Sequence, residues 1–323
     1  MVGGLVFSLI SVSVPVAVTA AGASSPRSRA LSAKVSGTGP GSSAPASAVL
    51  GGINGLLGSL PGTKYLPTTA RPGYRLASAA GRIGTYGGTS FYGSLATSSS
   101  HAPVVGIAAT PDGHGYWLVA SDGGVFSFGD AAFYGSAGGA ALNAPVVGIA
   151  ATPDGHGYWL VASDGGVFSF GDAGFHGTLA PSSSHAPVVG IAATPDGGGY
   201  WIVGSDGGVF SFGDAVFYGS AGGTSLNAPV VGVAATPDGH GYWLVSSDGG
   251  VFSFGDAGFY GSAGGTPLNA PVVGVTSSPD GHGYWLVSSD GGVFSFGDAP
   301  FRGSGSGDVP AGDAVTEIGR AHV

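Results

Sequence analysis

The sequence predicts an all-β fold, and three observations carry the prediction. The segment APVVG recurs with its proline at Pro103, Pro145, Pro187, Pro229 and Pro271, a period of 42 residues without slippage. Each period divides into short runs rich in Val, Ile, Phe, Tyr and Trp, at strand length and with no helical spacing. The runs are separated by Asp-Gly and Gly-Gly pairs, which supply the positive φ of tight turns. The chain's 66 glycines and 21 prolines exceed a quarter of its 323 residues, which without a period would suggest disorder. A hydrophobic content of 43%, with 11% aromatic residues, is too high for a solvated coil.

In chain order, residues 1–23 read as a signal peptide. An apolar run, Leu5–Ala20, is followed by Ala21-Gly22-Ala23 as a cleavage site. The competing reading is an uncleaved anchor, disfavoured by Ser8, Ser11, Ser13 and Pro15 within the run. Residues 24–60 are Ser, Ala, Gly and Pro with three cations, the composition of a flexible linker. The repeat domain is expected over 61–303, with 304–323 as a tail. Five full units are preceded by a decayed copy: Gly73-Tyr74-Arg75-Leu76 aligns with Gly115-Tyr116-Trp117-Leu118, and Phe91-Tyr92-Gly93-Ser94 with Phe133-Tyr134-Gly135-Ser136. That copy lacks the VVGIAA segment.

Four runs per unit are read as strands: Val104–Thr110, Tyr116–Ser121, Val125–Phe128 and Phe133–Ser136. Along the second run Tyr116 and Trp117 open two faces that are both largely apolar. A sheet buried on both sides suits blades stacked around an axis, and four strands in about 40–50 residues is propeller-blade size. The expected architecture is therefore a β-propeller of about six four-stranded blades, with a β-solenoid as the alternative.

The string GYWLVASDGGVFSFGDAxFYGS, spread over residues 73–303, resembles a repeat of secreted, cell-wall-associated bacterial proteins. The resemblance implies a propeller-like extracellular module and brings no catalytic residues with it. The tryptophan-aspartate dipeptide of WD repeats is absent.

At the period of 42, Ala314-Val315-Thr316 falls where Val272-Val273-Gly274 stood, so a sixth first strand is expected to start there. It would complete the decayed copy, giving five full blades and one composite blade. The final Glu317-Ile318-Gly319-Arg320-Ala321-His322-Val323 equals the translation of a common sequencing adapter, GAG ATC GGA AGA GCA CAC GTC, before a TGA stop. Adapter read-through is expected for these last residues; the competing reading is a genuine polar tail.

Charge narrows the function. Between Pro103 and Phe301 there is no Lys or Arg, while 15 of the 18 acids lie there, all Asp. Such a surface repels phosphate backbones, which excludes nucleic acid as a partner. With no cysteine, disulfides and Cys-ligated zinc are excluded. Each unit carries three turn aspartates, Asp112, Asp122 and Asp130 in the first. Calcium is the one cofactor such carboxylates would take, but Gly-flanked turn Asp more often caps its own backbone. The turn histidines His114, His156, His240 and His282 give way to Gly198 in the third unit. The Tyr116-Trp117 pair and its copies read as core, or as sugar-stacking rings.

Two classes of function follow. The first is a secreted or envelope-associated, non-enzymatic binding or scaffold module, monomeric, gaining by avidity on a cell-wall polysaccharide or a surface protein. Its candidate contacts are Asp112 and His114, Asp122 with Asn143, and the copies Asp154, His156, Asp164, Asp238, His240, Asp248, Asp280, His282 and Asp290. The second is an extracellular hydrolase or lyase, or its accessory domain. No catalytic residue stands out for it, because every candidate belongs to a repeated turn.

Overall fold

The computed structural model describes residues 73–95, 102–179 and 186–321, all within the compact unit Pro67–Val323. The segments read as signal peptide and linker lie outside the described residues. Eighteen strands and no helix are found among the described residues. They are β1 (Gly73–Ser78), β2 (Ile83–Tyr86), β3 (Val104–Ala109), β4 (Gly115–Ala120), β5 (Val125–Gly129), β6 (Val146–Ala151), β7 (Gly157–Ala162), β8 (Val167–Gly171), β9 (Val188–Ala193), β10 (Gly199–Gly204), β11 (Val209–Gly213), β12 (Val230–Ala235), β13 (Gly241–Ser246), β14 (Val251–Gly255), β15 (Val272–Ser277), β16 (Gly283–Ser288), β17 (Val293–Gly297) and β18 (Val315–Ala321).

These strands form six antiparallel three-stranded sheets. Five are consecutive meanders such as β3-β4-β5, and the sixth is β18-β1-β2, assembled from both ends of the unit. The first strands pack in sequence, β3 on β6, β6 on β9, β9 on β12, β12 on β15 and β15 on β18; β18 then packs on β3, so the series returns to its start. One backbone bond recurs at every joint. Val146 N–H donates to Ser121 O at 2.9 Å, and Val315 to Ser289 and Val104 to Ala79 repeat it across the composite sheet.

The middle strand of each sheet is buried along its whole length. This is the consequence of its two apolar faces: Trp117 packs on the next sheet's Tyr158 at 5.6 Å between ring centroids, and the Trp–Tyr contact repeats around the unit to Trp285 on Tyr74 at 5.5 Å. The sixth joint has Arg75 where the others have Trp. Its guanidinium lies 5.0 Å from the Tyr116 centroid, and its Nε donates to Ser90 O as the Trp indoles donate to the carbonyl fifteen residues on. Tyr116 and Trp117, like their copies, are 0% exposed, so they cannot stack on a sugar.

The expectation of four-stranded blades is corrected. Phe133–Ser136 and its counterparts are not strands. Gly135 has φ +135°, and a Cβ there would stand 2.6 Å from the Phe170 ring of the next sheet. The hydrogen-bonding groups a ladder would use are taken from outside. Tyr134 N–H donates to the Tyr158 hydroxyl at 3.2 Å, and that hydroxyl donates to Gly135 O at 2.6 Å. The segment is thus a strap: Trp117 Nε1 holds Ala132 O in its own sheet at 2.7 Å, while Tyr158 holds the following residues from the neighbouring sheet. Tyr158→Phe is expected to leave both backbone groups unpaired and to cost about 1–3 kcal/mol. Urea denaturation measures it, and an unchanged midpoint would show that the strap carries no stability.

The closing strand sits one residue further along than the 42-residue period places it. Every first strand bulges after its first residue: Val272 pairs with Ser288 and Gly274 with Val287. In β18, Val315 pairs with Ser78 and Glu317 with Ala77. Glu317, not Thr316, therefore holds the glycine position. The extra residue lies in the segment 304–314, which does not follow the repeat.

Candidate functional site

The meander places two kinds of turn at opposite ends of each sheet. At one end lie the turn between first and second strands and the residue that follows the third. At the other lie the turn between second and third strands and the loop that leads into the next sheet.

At the first end, Asp112 Oδ1 accepts from the Thr110 hydroxyl at 2.9 Å and from His114 N–H at 3.1 Å. Its Oδ2 stands 3.1 Å from His114 Nδ1. Asp130 Oδ1 lies 3.3 Å from the same threonine hydroxyl. One ligand atom from each of Asp112, His114 and Asp130 falls within 4.8 Å of the others, and all three residues are exposed. The arrangement repeats at Asp154/His156/Asp172, Asp238/His240/Asp256 and Asp280/His282/Asp298. In the third unit the Asp214 carboxylate occupies the space instead, 2.1 Å from where a Cβ on Gly198 would stand.

The hydrogen bonds shift the carboxylates in a consistent direction. The N–H and imidazole of His114, then the Thr110 hydroxyl, hold Asp112 well below the usual carboxylate range. Thr152 leads the same effect at Asp154, and Thr236 at Asp238. Partial desolvation, then the Asp238 charge, pushes Asp256 up. Two carboxylates and an imidazole form a donor set that could hold a divalent cation or accept hydroxyl hydrogens. Within the protein Asp112 and His114 pair with each other, while the exposed Asp130 carboxylate meets the Thr110 hydroxyl.

At the opposite end Asp122 Oδ1 accepts Gly124 N–H at 2.9 Å, and Asp164 does the same with Gly166 at 3.0 Å. Asp248 and Asp290 add a serine hydroxyl, from Ser246 and Ser288, each at 2.5 Å. The Asn143-type loop meets this turn: Asn227, Asp248 and Asn269 line one open hollow of about 590 Å³. The sequence-predicted residues therefore fall into two groups, Asp112/His114 with its copies at one end and Asp122/Asn143 with theirs at the other.

Three further hollows follow from the packing. The first strands enclose a cavity of about 40 Å³ lined by Gly106, Gly148, Gly190, Gly232 and Glu317. A wider mouth of about 350 Å³ carries Pro111, Pro153, Pro195, Pro237 and Arg320. The third, of about 380 Å³, lies against the composite sheet with Tyr86, Arg82 and Asp313 in its wall. Arg82 and Asp313 pair there at 3.5 Å.

Two sets of residues were not among the contacts chosen from sequence. Asp130 and its copies join the Asp112/His114 turn because three antiparallel strands bring the chain back to the same end. The second set is Phe91, Phe133, Phe175, Phe217, Phe259 and Phe301, which are 57–62% exposed at every period. The exact spacing was the available signal. No protein-family model and no curated protein matches the chain.

Proposed function

We propose that residues 73–321 form a six-bladed β-propeller with three-stranded blades, acting as a secreted or envelope-associated, non-enzymatic module that binds a multivalent target. The carrying observation is the sameness of its surfaces. The turns, the strap and the exposed ring recur from sheet to sheet with few changes, Gly198 for the turn histidine among them, and catalytic sites instead bring together distinct residues in unlike roles. The contacts that return β18 to β3 support the propeller reading, and the two-faced burial of every middle strand supports stacked blades. Repeated weak contacts suit a polymer, because linked binding events add by effective concentration. The cation-free stretch favours an uncharged target over an anionic one, so the uncharged sugar units of a cell-wall glycan suit it better than the anionic groups such a wall carries.

The test uses the full chain in a glycan array and in co-sedimentation with peptidoglycan sacculi, with and without calcium. Retention on sacculi that falls when the polymer is cut to short oligosaccharides is the expected result. No binding in any arm would remove the glycan-binding reading.

A further inference from the structure

We infer that the six exposed phenylalanines are stacking platforms for the uncharged sugar rings of a polysaccharide, one platform per sheet. The inference rests on the binding-module reading and adds to it the contact residues and the ligand class.

Exposure separates these rings from the other aromatics of the repeat. Phe133 is 60% exposed and Phe175 62%, whereas Tyr116, Trp117 and their copies are at 0% and Phe126, Phe128 and Tyr134 are half-buried. The backbone that carries each platform is also held. The carbonyl before Phe133 accepts from Trp117 Nε1, and the N–H after it donates to the Tyr158 hydroxyl of the next sheet. The same two bonds flank Phe175, from Trp159 and Tyr200, Phe217, from Trp201 and Tyr242, and Phe259, from Trp243 and Tyr284. Backbone already pinned on both sides has little freedom left to lose on binding.

The chemistry around the rings selects the ligand. Single rings recurring once per period, with only Val216 exposed beside one of them, do not make the continuous apolar groove that a helix or extended peptide needs. A pyranose needs less, since one C–H face stacks on one aromatic face while its hydroxyls seek acceptors. Acceptors are at hand: Asp130, Asp172, Asp214, Asp256 and Asp298 each precede a platform by three residues, at most about 11 Å of chain. Phe91 has Gly88 in that place. With no Lys or Arg from Pro103 to Phe301, the four platforms Phe133, Phe175, Phe217 and Phe259 offer nothing to an anionic sugar or an anionic lipid. An uncharged glycan fits both the rings and the carboxylates.

The experiment compares the full chain with the triple variant Phe133→Ala, Phe175→Ala and Phe217→Ala, and with the matching triple Phe→Tyr variant. Circular dichroism and thermal unfolding check the fold, which the exposed rings should not disturb. The probes are chitohexaose by calorimetry and peptidoglycan sacculi by co-sedimentation, with sedimentation velocity on the proteins alone. The expected result is a loss of at least about tenfold in apparent affinity for the alanine variant, with tyrosine retaining binding. If the wild-type chain binds and the alanine variant binds within about twofold of it, the platforms are wrong and the module reading survives. Equal loss in the tyrosine variant would overturn stacking. A wild-type dimer that the alanine variant dissolves would make the rings a self-association surface. No glycan binding by the wild-type chain would overturn both readings together.

Discussion

Deleting residues 315–323 is expected to abolish cooperative folding of the repeat unit rather than merely shorten it. Strand β18 is the first strand of the composite sheet and pairs with β1 over six residue pairs. It also packs on β15 and β3, so its loss opens two joints at once. Val315 and Ile318, 4% and 3% exposed, share a core with Tyr74, Leu76, Trp285 and Val287. Burying two such side chains contributes about 3–6 kcal/mol, and the ladder adds about 1 kcal/mol for each bond. Together these terms approach the 5–15 kcal/mol margin that is usual for a domain, to order of magnitude. The deletion also leaves the edge of β1 unpaired, a template for strand addition from another molecule. Size-exclusion chromatography with light scattering should show oligomers or aggregate, and urea titration should lose its single sigmoid. A monomer with the wild-type midpoint would show that the ends of the unit do not close it.

The three ladder strands were legible as strand-length runs rich in Val, Ile, Phe, Tyr and Trp, broken at Asp112-Gly113, Asp122-Gly123-Gly124 and Gly129-Asp130. Of the two readings open for Tyr116 and Trp117, core and sugar-stacking, the structure selects the core, as expected where adjacent strand residues point to opposite faces that are both apolar. The FYGS segment misled for a related reason. Phe133-Tyr134 reads as a short aromatic run of strand type, but the group that claims its backbone is a tyrosine hydroxyl 24 residues ahead in the next repeat. Nothing inside one unit reveals that partner, and without it neither the strap nor the outward turn of Phe133 can be read. The missing first strand of the decayed copy announced that the C-terminus would supply it. Its register did not follow, because the extra residue lies in 304–314, where the repeat no longer provides an alignment. The Asp112/His114/Asp130 group was half legible: the turn pair is adjacent in sequence, and the third member needs the meander to bring it back.

That single-residue difference in register leads to the second large effect. Glu317 occupies the position that Gly106, Gly148, Gly190, Gly232 and Gly274 hold in the other first strands, and its carboxyl reaches to 2.5 Å from where a Cβ on Gly274 would stand. Burial there pushes its pKa up to about 8, opposed only by the N–H of Ile318 at 2.9 Å. The folded protein therefore binds a proton that the unfolded chain releases near the ordinary glutamate value of 4.5. Stability is fully present below that value and falls as pH rises through the window to about 8, by up to about 1.4 kcal/mol per pH unit. Glu317→Gly restores the residue of the other five sheets and removes the titrating group. The variant should melt well above the wild type at pH 8, by a difference worth several kcal/mol, to order of magnitude, and the gap should narrow steadily toward pH 5. Glu317→Gln, which keeps the side-chain size without the titration, should share the flat profile. Paired urea titrations of the three proteins from pH 5 to pH 8.5 measure the slopes, and the shared aspartates cancel in each difference. Parallel profiles for wild type and both variants would mean that the Glu317 carboxyl is not buried in its neutral form at the centre of the six first strands.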